Sequence, residues 1–162
     1  MIEMTRALIL YDSLFGNTKK VAISLASGIK ENGIEVNCLN INEIDCNTIS
    51  TYNFIAIGGP THNIGLSKQM KTFLQGLEKI KMPGIKGFCF DTRYHSRLNK
   101  KRWLILENSA ARKIERKMKA MKVQIIKSRQ SALVEKGRKG PLLQGVENNF
   151  KNIGKEIGMI LS

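Results

Sequence analysis

Residues 7–18 read Ala-Leu-Ile-Leu-Tyr-Asp-Ser-Leu-Phe-Gly-Asn-Thr, and this passage decides the fold. Five apolar residues in succession, Ala7 to Tyr11, suit a central parallel strand covered on both faces. Beyond Thr18 the pattern changes: Val21, Ala22, Leu25, Ala26 and Ile29 fall on one helical stripe. A strand therefore turns directly into a helix across Asp12 to Thr18. At such a turn the first helical N–H groups lack acceptors, and the helix dipole favours an anion. Ser13 and Thr18 add hydroxyl donors, and Gly16 lets the backbone come close. No Lys or Arg lies within the loop, so a phosphate there is held mainly by neutral donors. The plainer alternative is a strand-to-helix turn in which Asn17 or Thr18 serves only as the N-cap.

The rest of the chain keeps the same rhythm. Residues 34–38 alternate as a half-buried second strand after Gly33 stops the first helix. Phe54 to Ile57 form a buried third strand that runs into Gly58-Gly59-Pro60. Met70, Phe73, Leu74 and Leu77 recur at helical spacing, and Lys86 to Phe90 read as a fourth strand. Asn108 or Ser109 caps a helix through Met121, with Ala111, Ile114, Met118 and Met121 facing inward. Residues 123–126 form a fifth strand, with 132–134 as a small addition. Leu143, Val146, Phe150, Ile153, Ile157 and Ile160 mark a final helix packed on the sheet. Strands alternating with helices imply a parallel α/β sheet, and five strands in this rhythm fit the doubly wound order 2-1-3-4-5 with helices on both faces.

Neither a Walker-type loop nor a three-glycine dinucleotide fingerprint is present. The first loop instead resembles that of the flavodoxin family, which reads hydroxyl-x-Thr-Gly-Asn-Thr around the phosphate of FMN. Ser13, Gly16, Asn17 and Thr18 match, with Leu14 and Phe15 completing the loop, and Phe15 replaces a small hydroxyl residue. The stretch after the third strand, residues 58–65, is similar to the family's second flavin loop, which opens Gly-x-Pro-Thr. Gly58, Pro60 and Thr61 fit that opening, and His62, Asn63 and Gly65 follow. His62 occupies a place where many flavodoxins carry a stacking Trp; it stacks on the ring or is a solvent-exposed loop histidine. After the fourth strand, Asp91-Thr92-Arg93-Tyr94 resembles the family Asp-x-x-Tyr pattern, in which the tyrosine lies flat on the flavin. Asp91 accepts from a ring or ribityl donor, or orders its own turn. The match extends over the whole chain, 1–162 as one flavodoxin-like domain, with FDTRY, SAARKIERKM and GPLLQG similar to small microbial members.

The resemblance implies an FMN-binding electron-transfer protein with a redox partner protein. Two rival readings remain: an FMN-dependent oxidoreductase acting on a quinone, a porphyrinogen or a similar small acceptor, and a basic protein that binds nucleic acid or an anionic surface. Charge bears on the partner. The net charge is +14, and it is concentrated: residues 91–140 hold 16 Lys or Arg against 4 Asp or Glu. Flavodoxin carriers are usually acidic, so this chain points to an acidic partner. Nucleic acid ranks last, because the few aromatics are not interleaved with the basic residues as stacking platforms. The departure from the family centres on Arg97 to Asn108, where Lys100, Lys101 and Arg102 precede the apolar run Trp103 to Leu106. No apolar stretch approaches a membrane span. Cys38, Cys46 and Cys89 are widely spaced and form no metal or disulfide pattern, which suits reduced thiols in a cytoplasmic protein.

Overall fold

The first apolar run becomes β1 (Arg6–Tyr11), and its last five residues are all buried. A computed structural model of the protein describes residues 3–61, 65–94, 109–135 and 139–162. After β1 come α1 (Asn17–Lys30), β2 (Glu35–Asn40), a 3-10 turn (Cys46–Thr51), β3 (Phe54–Pro60) and α2 (Lys68–Leu77). Next are β4 (Lys86–Tyr94), α3 (Ala110–Ala120), β5 (Gln124–Ile125), β6 (Gln130–Val134) and α4 (Val146–Leu161). The sheet runs β2-β1-β3-β4-β5, with β6 also paired to β4, and every pairing is parallel. The doubly wound order 2-1-3-4-5 is therefore observed, its fifth position shared between two short strands.

Each face of the sheet carries its own core. Ala7, Ile9, Tyr11, Ala56, Phe88 and Phe90 pack under α1 and α4. Leu8, Leu10, Ile55, Ile57 and Cys89 pack under α2 and α3. The alternation along β1 sends odd residues one way and even residues the other, as the period of two requires. On the first face α1 and α4 meet backbone to backbone. A Cβ at Gly28 would lie 2.0 Å from the Lys151 carbonyl oxygen, and one at Gly154 would lie 2.2 Å from that of Leu25. Two glycines thus let the helices approach more closely than side chains allow.

Three elements differ from the sequence reading, each for a packing reason. β3 continues through Gly58, Gly59 and Pro60, which pair with Phe90, Asp91 and Thr92. Gly58 is there for space: a Cβ on it would sit 2.2 Å from the Phe90 ring. Likewise β4 runs on to Tyr94 because β6 pairs with Phe90 to Tyr94. Asp91 to Tyr94 are therefore strand residues, not a loop. The segment at 132–134, read as a minor addition, belongs to β6, the longer partner of β4. Ile160, expected to face the sheet, is 49% exposed near the end of α4. His62 and Asn63, Arg97, the basic run Lys100 to Arg102, the apolar run Trp103 to Leu106 and Asn108 lie outside the described residues. Ser109 caps α3, its hydroxyl accepting from the Arg112 N–H at 3.1 Å.

Candidate functional site

The strand register brings three chain segments to one edge of the sheet. Tyr11, the last residue of β1, is level with Gly58, and Gly58 is level with Phe90. The Asp12 N–H donates to the Gly58 carbonyl at 3.1 Å, holding the start of the first loop to β3. Residues 12–18, the end of β3 and the end of β4 therefore converge at the carboxyl edge, where the winding of the sheet reverses.

The first loop is built around Gly16. Its φ of 92° is left-handed, and no atom lies within 4 Å of where a Cβ would be. The Ser13 Oγ accepts from the Gly16 N–H at 3.1 Å and from the Lys19 N–H at 3.4 Å. Its own proton remains available to a ligand. Asn17 and Thr18 open α1, so their N–H groups have no intrahelical acceptor. Their side chains are committed elsewhere. The Asn17 Nδ2 donates to the Gly140 carbonyl at 2.8 Å, and the Thr18 hydroxyl, 2% exposed, is 2.9 Å from that of Thr92. The loop thus offers an anion backbone donors, one serine hydroxyl and the positive end of a helix of 14 residues. Leu14 and Phe15 are 46% and 48% exposed beside it. This donor set and the open space beside Gly16 fit a phosphate monoester such as that of FMN.

The other two segments are locked together by Asp91. Its carboxylate is fully buried and accepts from the Thr61 hydroxyl at 2.9 Å, the Arg93 Nε at 3.1 Å and the Ala111 N–H at 3.1 Å. The Thr61 hydroxyl oxygen in turn accepts from the Ala110 N–H at 3.0 Å. One carboxylate thereby ties the end of β3, the middle of β4 and the start of α3 into a unit. Asp91 orders the site from beneath, and Arg93, 6% exposed, neutralises it. A similar brace holds the opposite side, where Asp12 accepts from Ser67, the N-cap of α2. Pro60 ends β3 level with Thr92, and the Thr61 N–H donates to the Thr92 carbonyl at 2.9 Å. Tyr94 is half-buried at the end of β4. Gly65, with a φ of 117°, is the residue of this region whose angle favours glycine, and the Lys113 Nζ would meet a Cβ there at 2.5 Å.

The sequence reading assigned no role to Lys139 and Gly140. Gly140 receives Asn17, and the Lys139 Nζ stands 5.5 Å from the centre of the Phe15 ring. The available signal was compositional: Lys136 to Gly140 read KGRKG, a basic glycine-rich stretch whose contact with residue 17 bridges more than a hundred positions.

An open parallel sheet with a neutral anion loop at its reversal point defines a class: α/β proteins that hold a phosphorylated ligand beyond the strand ends. Within that class, the flavodoxin family model matches residues 9–151. The chain belongs to the flavodoxin family, whose members bind FMN and transfer electrons to redox partner proteins. A probable flavodoxin 1 of Bacillus subtilis is 30% identical over 94 residues, covering 57% of this chain and 60% of the relative. A flavodoxin of Clostridium saccharobutylicum is 32% identical over 85 residues, covering 52% of this chain and 53% of its own length. The matches therefore span little more than half the length of these relatives. The structure of oxidised flavodoxin 1 from Bacillus cereus superposes with a TM-score of 0.80 at 18% identity, covering 98% of this chain and all of the other. An archaeal flavodoxin gives 0.75 at 19% identity, covering 97% and 99%. No helix among the described residues is long and apolar enough to cross a membrane.

Proposed function

We propose that this chain is an FMN-dependent electron carrier that serves an acidic redox protein. The reading rests on one observation: the ends of β1, β3 and β4 meet around a helix N-terminus whose loop donors suit a phosphate. FMN supplies the redox chemistry when bound, and the protein sets its orientation, its contact with water and its potential. The Ser13 hydroxyl and the backbone N–H groups of Leu14, Phe15, Asn17 and Thr18 hold the phosphate, the Gly16 N–H being taken by Ser13. Asn17 and Thr18 contribute through their main chain, since their side chains anchor the loop to Gly140 and Thr92. Thr61 and Gly65 border the ring together with His62 and Asn63, and Tyr94 shields it from water. Asp91, Thr92 and Arg93 act beneath this surface and keep its three segments in register.

The acidic partner follows from where the positive charge lies. α3, which carries Arg112, Lys113, Arg116, Lys117 and Lys119, begins at the Thr61–Asp91 cluster. Lys113 reaches the Gly65 segment. An acidic protein docking there comes close to the ring.

A reductive titration of the FMN-loaded protein, followed by absorbance, tests the carrier reading. Two resolved one-electron steps and slow turnover with free quinone are expected. Rapid two-electron turnover with a quinone instead assigns the chain to the oxidoreductases that share this fold. The docking reading is tested by the salt dependence of electron transfer with an acidic carrier protein. The rate should fall as salt rises, because exposed charges are screened beyond roughly 8 Å at physiological ionic strength. Reversing charge at Lys113 and Arg116 should flatten that dependence.

A further inference from the structure

We propose that Lys139, with Lys19 and Lys20, forms a cationic collar that makes the loop at residues 13–18 select the phosphate of FMN by charge; this rests on the placement of FMN given above. Three observations lead to it. First, the neutral donor set is thinner than the loop sequence implies. The Asn17 amide and the Thr18 hydroxyl are spent on Gly140 and Thr92, and Phe15 stands where a hydroxyl residue would help. Second, Lys139 is pinned beside the loop: Gly140 is clamped to the first residue of α1, and the Lys139 ammonium lies over the Phe15 ring at 5.5 Å. Third, the first turn of α1 holds no acidic residue but two exposed lysines, Lys19 and Lys20.

That last arrangement opposes the helix dipole, which favours negative charge at an N-terminus. Two lysines in the first turn, with Lys139 beside the loop, place positive charge near a positive helix end, an unfavourable arrangement that a bound anion offsets. A phosphate monoester, which carries between one and two negative charges at neutral pH, offsets this by adding an attraction to each of these positive groups. Because Lys139 is exposed, its attraction is screened by salt.

The test compares FMN with riboflavin, which lacks the phosphate, in fluorescence titrations of the apo-protein and of Lys139→Gln. The expected result is an FMN affinity lowered about twofold to fivefold in the variant at low salt, with riboflavin unchanged, as for one partly screened charge contact. The FMN-to-riboflavin ratio of the unsubstituted protein should fall as salt rises, and less so in Lys139→Gln. A second readout is the phosphorus NMR titration of bound FMN. Nearby cations favour the dianion, so the phosphate pKa should be higher in Lys139→Gln than in the parent. Equal losses for both ligands would assign Lys139 to holding the loop through Phe15 and overturn the collar. An unchanged ratio and an unchanged phosphate pKa would overturn it too, while leaving the FMN site intact. Failure of the site itself has a different signature: the parent would bind FMN no better than riboflavin at any salt concentration.

Discussion

Replacing Arg93 by Leu isolates the buried ion pair on which the candidate site stands. Arg93 is 6% exposed, and its Nε lies 3.1 Å from a carboxylate oxygen of the fully buried Asp91. With charge centres about 4 Å apart and an effective dielectric near 20, the attraction is about 4 kcal/mol. Removing one partner of a buried pair strands the other, at a typical cost of about 3–5 kcal/mol. Asp91 keeps two donors, the Thr61 hydroxyl and the Ala111 N–H at the start of α3, which places the expected loss near the lower bound, about 3 kcal/mol. For a domain of this size that is a fall in Tm of about 10 °C. Urea denaturation is the assay of choice, since guanidinium salts would screen the pair. The double variant Arg93→Leu/Asp91→Asn should recover part of the loss, about 1–2 kcal/mol, because the neutral amide carries no uncompensated charge and can still accept from Thr61 and Ala111. The reasoning is refuted if Arg93→Leu costs less than about 1 kcal/mol and its effect simply adds to that of Asp91→Asn.

Other consequences are as direct. Gly154→Ala should destabilise by about 1–3 kcal/mol in urea titrations despite the better helix propensity of alanine, because its methyl meets the Leu25 carbonyl at 2.2 Å. Gly58→Ala should cost a similar amount, about 1–3 kcal/mol, and Phe90→Leu in the same chain should return part of it by vacating the space that the new methyl needs. Burial pushes the Cys38 thiol up to about 11. Only about one thiol in a thousand is then ionised at pH 8, and since the thiolate is the nucleophile, alkylation followed by mass spectrometry should stay slow at neutral pH and accelerate steadily up to that value.

The sheet was legible because its evidence is periodic. The run from Ala7 to Tyr11 and the stripe from Val21 to Ile29 each report burial through spacing alone, and both are buried as read. Strand ends were less visible. The glycines and proline after Ile57 look like loop residues, yet Gly58 is a strand residue whose missing side chain makes room for Phe90, its partner on the neighbouring strand and about thirty residues away in sequence. No local pattern encodes that requirement. The two short strands at the fifth position were separable in sequence, but their relative weight was not, since the length of β6 is set by its partner on β4.

At the candidate site, the loop residues could be found by composition, but their orientation could not. Asn17 and Thr18 read as ligand donors because amides and hydroxyls at a helix start usually serve there. Their side chains instead meet Gly140 and Thr92, and only the assembled sheet supplies those partners. Arg93 illustrates the converse. In sequence it belongs to a basic segment beside Tyr94, where an uncompensated positive charge would raise the potential of a nearby flavin. Its pairing with Asp91 cancels most of that field, so removing both charges together in Arg93→Gln/Asp91→Asn should move the potential little.

A fluorescence titration of the apo-protein with FMN, riboflavin and FAD tests most directly whether the loop at residues 13–18 holds the phosphate of FMN. One equivalent of FMN should quench completely, and riboflavin should bind at least about tenfold more weakly, since the phosphate accepts several charge-assisted hydrogen bonds worth about 1.5–3 kcal/mol each. FAD should also bind more weakly, its second phosphate and adenylate extending beyond a cradle shaped for a monoester. Riboflavin binding as tightly as FMN, or FAD more tightly, would contradict the account.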